Sequence, residues 1–209
     1  SSENNRTDQS ASVTYIEPVT KKFKIETSYS FGHNLNNNNR RTLDFDGIAF
    51  DAINTTQSND FRNTRITNRI GTKFIYDVRK YRISVGANYR NVFQENINVT
   101  TAQKLNYTFT NLLPMAMVNF RINQGSNLSI NYNMSSVLPD LKQMQPVVDN
   151  TDPNNIRTGN PNLKQQYTNN ARVNYYFYKG ISDINFYLGA NYSHVIGEIS
   201  NRTYFDSIG

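Results

Sequence analysis

Ile184-Asn185-Phe186-Tyr187-Leu188-Gly189-Ala190-Asn191-Tyr192-Ser193 decides how this chain is read. Ile184, Phe186, Leu188, Ala190 and Tyr192 alternate with Asp183, Asn185, Tyr187, Gly189, Asn191 and Ser193. Successive side chains of a strand point to opposite faces, so this segment has one apolar face and one that suits water. The same rule holds at Tyr81, Ile83, Val85, Ala87, Tyr89 and Phe93, set against Arg82, Ser84, Gly86, Asn88 and Arg90. Ten-residue strands of this kind, joined by alternately short and long connections, describe the wall of a transmembrane β-barrel. A soluble sandwich would also alternate, but its strands are usually only about 5–6 residues long.

Working outward, the period of two recurs along the chain. It predicts strands ending near Tyr15-Ile16-Glu17 and running over 23–33, 61–76, 81–93, 107–122, about 128–134, 168–177 and 184–193, with a ninth beginning at 202–208. Connections at 17–22, 77–80, 123–126 and 178–181 are short, whereas 46–60, 94–105 and 135–165 are long. That rhythm is the one expected of periplasmic turns and extracellular loops. Asn123-Gln124-Gly125-Ser126 reads as the tightest hairpin, with Gly125 supplying a left-handed backbone. Pro139, Pro146, Pro153 and Pro161 keep the longest connection out of any ladder. The polar stretch 34–41 suits either a strand extension or a loop.

Composition is consistent with this reading. Mean hydropathy is −0.67, which a barrel tolerates because only alternate residues meet lipid. No apolar run approaches the roughly 18 residues of a membrane helix. The 14 Tyr and 12 Phe, with no Trp, suit sites where a ring meets lipid and a hydroxyl meets water. There is no Cys, hence no disulfide framework, which fits an oxidising envelope compartment. The net charge of +6 raises nucleic-acid binding, but the cations are scattered and no basic helix, zinc-finger spacing or aromatic RNA motif accompanies them. Ser1-Ser2-Glu3-Asn4-Asn5 carries no leader signature, so either a leader has been removed or the chain is part of a longer polypeptide.

Nothing in the sequence assembles a catalytic or metal constellation, and no cofactor is expected. His33 and His194 are far apart and lack ligand-spaced neighbours. Asp44-Phe45-Asp46-Gly47 begins like a calcium loop without its later oxygen ligands or terminal Glu. Asp149, Asn150 and Asp152, with Thr151, form an oxygen-rich cluster whose side chains either cap their own turns or meet a ligand. Asn160 joins them as a loop contact candidate. Met115 and Met117 have the parity opposite Ala116, Val118 and Phe120, which places them inward.

The segment Gly159-Asn160-Pro161-Asn162-Leu163-Lys164, within the connection 138–164, resembles the Gly-Asn-Pro-x-Leu-Lys signature that precedes a barrel strand in TonB-dependent receptors of Bacteroidota and their outer-membrane barrel relatives. Tyr15-Ile16-Glu17-Pro18 resembles a recurrent strand end of the same barrels. Where those proteins often continue with Pro-Glu or Trp-Glu, this chain has Gln165-Gln166, which leaves the subfamily open. The resemblance implies that residues 1–209 are an interior part of a barrel of about 22 strands around a plug. It implies import of a bulky nutrient such as a glycan, peptide or metal complex, driven through TonB, in the outer membrane of a Gram-negative bacterium. The implied partners are the plug and remaining strands of the same polypeptide, the TonB complex, outer-membrane lipid and a surface lipoprotein over 94–105 and 135–165 in a SusC-like importer. Arg65, Arg69, Lys73, Arg82, Arg90 and Arg172 would then face the lumen and plug, and such a basic wall favours anionic cargo. Rival readings are a structural or secretion-associated barrel without import, and a soluble all-β carbohydrate-binding domain.

Overall fold

The structure is a computed structural model that describes residues 2–40, 43–45, 49–53, 59–99, 103–144, 158–180 and 184–203. Its strands are β1 (Ser2–Pro18), β2 (Phe23–Arg40), β3 (Leu43–Phe45), β4 (Phe50–Ile53), β5 (Asn59–Asp77), β6 (Tyr81–Asn98), β7 (Gln103–Asn123), β8 (Ser126–Val137), β9 (Gln166–Lys179) and β10 (Ile184–Ile196). One short helix, α1 (Leu141–Met144), follows β8. Eight strands form one sheet in the order β1-β2-β5-β6-β7-β8-β9-β10, while β3 and β4 form a separate hairpin. Every register resolved between neighbours is antiparallel. Among the described residues, β1 and β10 each have one neighbour in the sheet.

The chain resolves into two compact units, residues 1–75 with 86–112 and residues 76–85 with 113–209. In the first unit, Ala11 pairs with Phe31 and Val13 with Tyr29. Directly paired residues share a face of a sheet, so these four side chains lie together. The ring of Phe23 stacks on Phe74 with centroids 6.2 Å apart, which puts the even residues of β5, including Ile66 and Ile70, on that same face. In the second unit, Val118 pairs with Ile130, Ile130 with Val173, and Val173 with Ala190. One step along, Phe120, Leu128, Tyr175 and Leu188 form a second such row.

These apolar faces are turned outward. Ile70, Phe74, Val85, Tyr89, Leu112, Phe186 and Leu188 are all exposed. Apolar surface of this extent is stable only against lipid or a partner. Among the strands, the largest fully buried side chains lie on the other face, at Val92, Gln94, Asn96 and Asn111. A fold that buries amides and exposes Phe, Val and Leu is inverted relative to water-soluble proteins, as a bilayer requires.

The strands run further than the alternation of the sequence suggests. β7 has 21 residues and β5 has 19, although about 9–11 suffice to cross a bilayer. The polar stretch from Asn34 belongs to β2, where Asn34 to Asn39 pair with Asp8 to Glu3. The connection expected at 94–105 shrinks to 99–102, because β6 continues to Asn98 and β7 starts at Gln103. Likewise 46–60 contains β4 and the start of β5, and 135–165 contains α1 and the end of β8. Backbone pairing maintains these polar extensions, and backbone pairing leaves no mark on side-chain periodicity. The ninth strand expected at 202–208 falls mostly outside the described residues; Arg202 and Thr203 are irregular.

Two glycines matter because other strands crowd them. A Cβ on Gly86 would lie 2.3 Å from the Thr72 carbonyl oxygen and 2.8 Å from Lys73 Cα. A Cβ on Gly125 would lie 2.0 Å from the Tyr178 carbonyl oxygen. The left-handed backbone expected at Gly125 is not found; among the described glycines only Gly197 adopts it. Gly125 is therefore needed for space rather than for its φ angle.

Two outcomes follow for the full polypeptide unfolded reversibly in lipid vesicles. Val85→Arg, near the middle of the outward run of β6, should lower stability by about 2–4 kcal/mol, whereas Asn133→Lys on the opposite face should stay within about 0.5 kcal/mol. Gly86→Ala should cost about 1–3 kcal/mol through backbone overpacking, and equal stability of mutant and parent would show that β5 and β6 do not approach closely there.

Candidate lumen wall

The six cations singled out in the sequence all occupy the polar face. Lys73 Nζ lies 2.7 Å from Glu26 Oε1, with side chains 30% and 24% exposed. Arg65 Nη2 donates to Gln94 Oε1 at 3.2 Å. Arg69 shares their strand and parity, is exposed, and has no partner among the described residues. Arg90 shares the parity of Gln94 on β6. In the second unit, Arg82 Nε lies 3.9 Å from Asp77 Oδ2. Arg172 Nε donates to Asn191 Oδ1 at 2.7 Å, and the two residues pair directly across β9 and β10.

These cations stand in a field of amides and hydroxyls. Ser84, Gln94, Asn96, Asn98 and Asn111 are buried, and across β7–β10 Asn119, Ser129 and Asn174 form one row and Asn131, Arg172 and Asn191 another, at the positions that face away from the apolar rows. Several buried polar atoms have no partner: Asn63 Oδ1, Arg65 Nε and Gln94 Nε2. A buried donor or acceptor left unpaired costs about 1–3 kcal/mol, so this face is built to meet further polar groups. Met115 and Met117 do lie on the polar face, because they pair with Asn133 and Asn131.

Sequence reading missed the partners. Glu26 was legible only as a polar-parity residue, Gln94 reads from the sequence as the start of the 94–105 connection, and nothing along the chain placed Glu26 opposite Lys73. Arg121, Asn119 and Tyr176 on the inward side of the second unit were also missed, though their parity was available. On the outward side, beyond the apolar run, Lys104 and Glu95 form an ion pair.

The loop candidates divide. Asp149, Asn150 and Asp152 lie outside the described residues, as do Asp46 and Gly47. Asp44 and Phe45 are in β3, paired with Ala52 and Phe50. Asn160 is described and makes turn contacts. Its N–H donates to the Gln143 carbonyl at 2.7 Å, and its Oδ1 accepts from the Asn162 N–H at 2.9 Å. Asn160 thereby ties the signature segment to α1, whose Met144 is fully buried. Among the described residues no group of three or more His, Cys, Asp or Glu is placed to hold a metal, and no helix is long and apolar enough to cross a membrane.

Toward the end of β1 farthest from its turn, Asp8 accepts hydrogen bonds from Asn34 and from Arg6 Nε, the latter at 2.7 Å. The Asn34 hydrogen bond, and then that of Arg6, hold the Asp8 carboxyl below its ordinary value of 3.8.

An antiparallel wall with lipid-facing apolar rows and a cation- and amide-lined opposite face defines an integral outer-membrane β-barrel protein. The chain belongs to the outer membrane protein beta-barrel family, which it matches over residues 1–207. No curated protein matches it in sequence. Two similar solved structures are the ferric citrate transporter FecA in its unliganded form and the copper transporter OprC. The FecA structure superposes with a TM-score of 0.64 at 12% identity, over 84% of this chain and 26% of that one. OprC gives 0.64 at 11% identity, over 93% of this chain and 30% of that one. The likeness is one of fold, and the chain spans less than a third of either protein's length.

Two measurements probe this wall. In a double-mutant cycle of Glu26→Gln and Lys73→Met, the coupling should be about 1 kcal/mol, at the upper end for solvent-accessible pairs; additive effects would mean that the pair is not formed. Asp8 has a lowered folded-state pKa, so its contribution is present above the unfolded value and is lost as pH falls through the folded one. Asp8→Asn should therefore reduce stability slightly at pH 7, with the difference between parent and variant shrinking as pH falls below the ordinary carboxyl value of 3.8.

Proposed function

We propose that this chain is a wall segment of an energised outer-membrane transporter that admits a bulky nutrient through a plugged barrel. Passage, with no covalent catalysis by the segment, is the activity its chemistry suits. The observation that carries the reading is the polar face, where Arg65, Arg69, Lys73 and Arg90 stand among amides and where Asn63 Oδ1, Arg65 Nε and Gln94 Nε2 are buried without a partner. An open water-filled pore would hydrate such groups, whereas a plug would bond them. The FecA and OprC likeness and the resemblance of Gly159 to Lys164 to the motif of Bacteroidota TonB-dependent receptors support the same reading. On it, the plug, the remaining strands and the TonB-contacting segment belong to the rest of the polypeptide in a Gram-negative envelope. The six cations are wall–plug contacts, and Asn160 orders an outer loop.

The test is peptide mapping of the native full polypeptide together with its conductance in planar bilayers bathed in KCl. The expected result is a chain several times longer than this one that stays closed at rest. A steady, open ion conductance would sink the plugged-transporter reading in favour of a passive or structural barrel.

A further inference from the structure

We propose that the inward face of the second unit carries an oxyanion site, built by Arg82 and Arg121 beside the β7–β8 turn. A cavity of about 410 Å³ there is lined by Arg82, Asn119, Arg121, Gln124, Asn127 and Tyr176, together with turn residues 123 and 125–126. Its polar side chains are two guanidiniums, amides and a phenol. Guanidiniums present paired N–H donors whose geometry fits a carboxylate or phosphate. Arg121, Asn119, Gln124 and Asn127 have no side-chain partner among the described residues. Among the described residues, the one ion pair at the site is a long one, Asp77 to Arg82 at 3.9 Å and partly exposed. Uncompensated positive charge therefore gathers around a concave space.

The site is held in place by backbone. The Arg121 N–H donates to the Lys80 carbonyl at 2.7 Å, and the Tyr178 N–H to the Gly125 carbonyl at 2.7 Å. Asn123 Oδ1 accepts from the Gly125 N–H at 2.9 Å. The register shifts between Arg121 and Asn123, an irregularity of the kind that re-aims a side chain at a strand end. Arg121 pairs with Asn127, whereas the lipid-facing neighbours Phe120 and Leu128 pair with each other. The guanidiniums thus face away from the bilayer, which excludes a lipid headgroup. The oxyanion is either a free anion entering the cavity or a carboxylate of polypeptide seated inside the barrel.

The experiment is arginine modification by phenylglyoxal on the purified full polypeptide, read by peptide mass, with exposed Arg79 on the adjacent turn as internal control. Free reaction at Arg82 and Arg121 that inorganic phosphate suppresses, with about tenfold more phosphate needed after Arg121→Gln, establishes a free-anion site. Protection already present without phosphate, and released by 1 M salt as screening predicts, establishes a seated carboxylate. Reaction that phosphate does not slow, or protection that salt does not release, overturns the proposal. The assay reads no transport, so its failure leaves the transporter reading standing, and an open conductance leaves the site standing.

Discussion

In hydrocarbon no water replaces a missing hydrogen bond, so every backbone N–H and C=O within the bilayer must be paired inside the protein. That requirement shapes this chain more than any side-chain contact does. It demands long antiparallel strands with neighbours on both sides, and it frees the side chains to divide by parity. Val118, Ile130, Val173 and Ala190 form one continuous row across four strands, because the ladder fixes their alignment and lipid tolerates nothing else. Ordinary core packing is almost absent: among the described residues, the buried hydrophobic set is only Ile75, Val92, Leu113 and Met144. The sheet derives its order from its backbone, and its side chains answer to two solvents.

The second consequence is that polar groups can be crowded on the inner face. A soluble core would exclude Gln94, Asn96 and Asn111, which are buried here. They are tolerated because their surroundings are themselves polar. Cations such as Lys73 and Arg172 are partly neutralised or hydrogen-bonded within the wall, and Arg69 is left to whatever occupies the interior. Such a wall does not read one cargo by itself. It supplies donors, and the interior decides how they are used.

Much of this was legible in the chain because parity is a local property. The strands of the main sheet, the apolar faces of most of them and the shared polar parity of Arg65, Arg69, Lys73, Arg82, Arg90 and Arg172 follow from alternation alone. The strand ends were not legible. By hydrophobicity Asn34 to Asn39 suit a strand extension as well as a loop, and only the structure shows them paired residue for residue with β1. The partners were not legible either, since Glu26 meets Lys73 only through a register set across a connection of many residues. Gly125 was marked as a turn for a conformational reason, whereas the structure gives it a steric one. The signature around Asn160 was visible as a motif, but its attachment to the Gln143 carbonyl depends on where α1 lies.

The asparagine ladder of β1 and β2 has a consequence for the order of assembly. Asn36, Asn37, Asn38 and Asn39 are chemically alike, so the upper hairpin would accept several alignments equally well. The lower half, where Phe31 meets Ala11 and Tyr29 meets Val13, distinguishes the correct one most strongly, because its apolar residues must share a face. Pairing that starts at Pro18 and Phe23 lets the greasy end set the alignment and the asparagines inherit it. A nascent chain that paired its asparagines first would have no means of telling a right start from a wrong one.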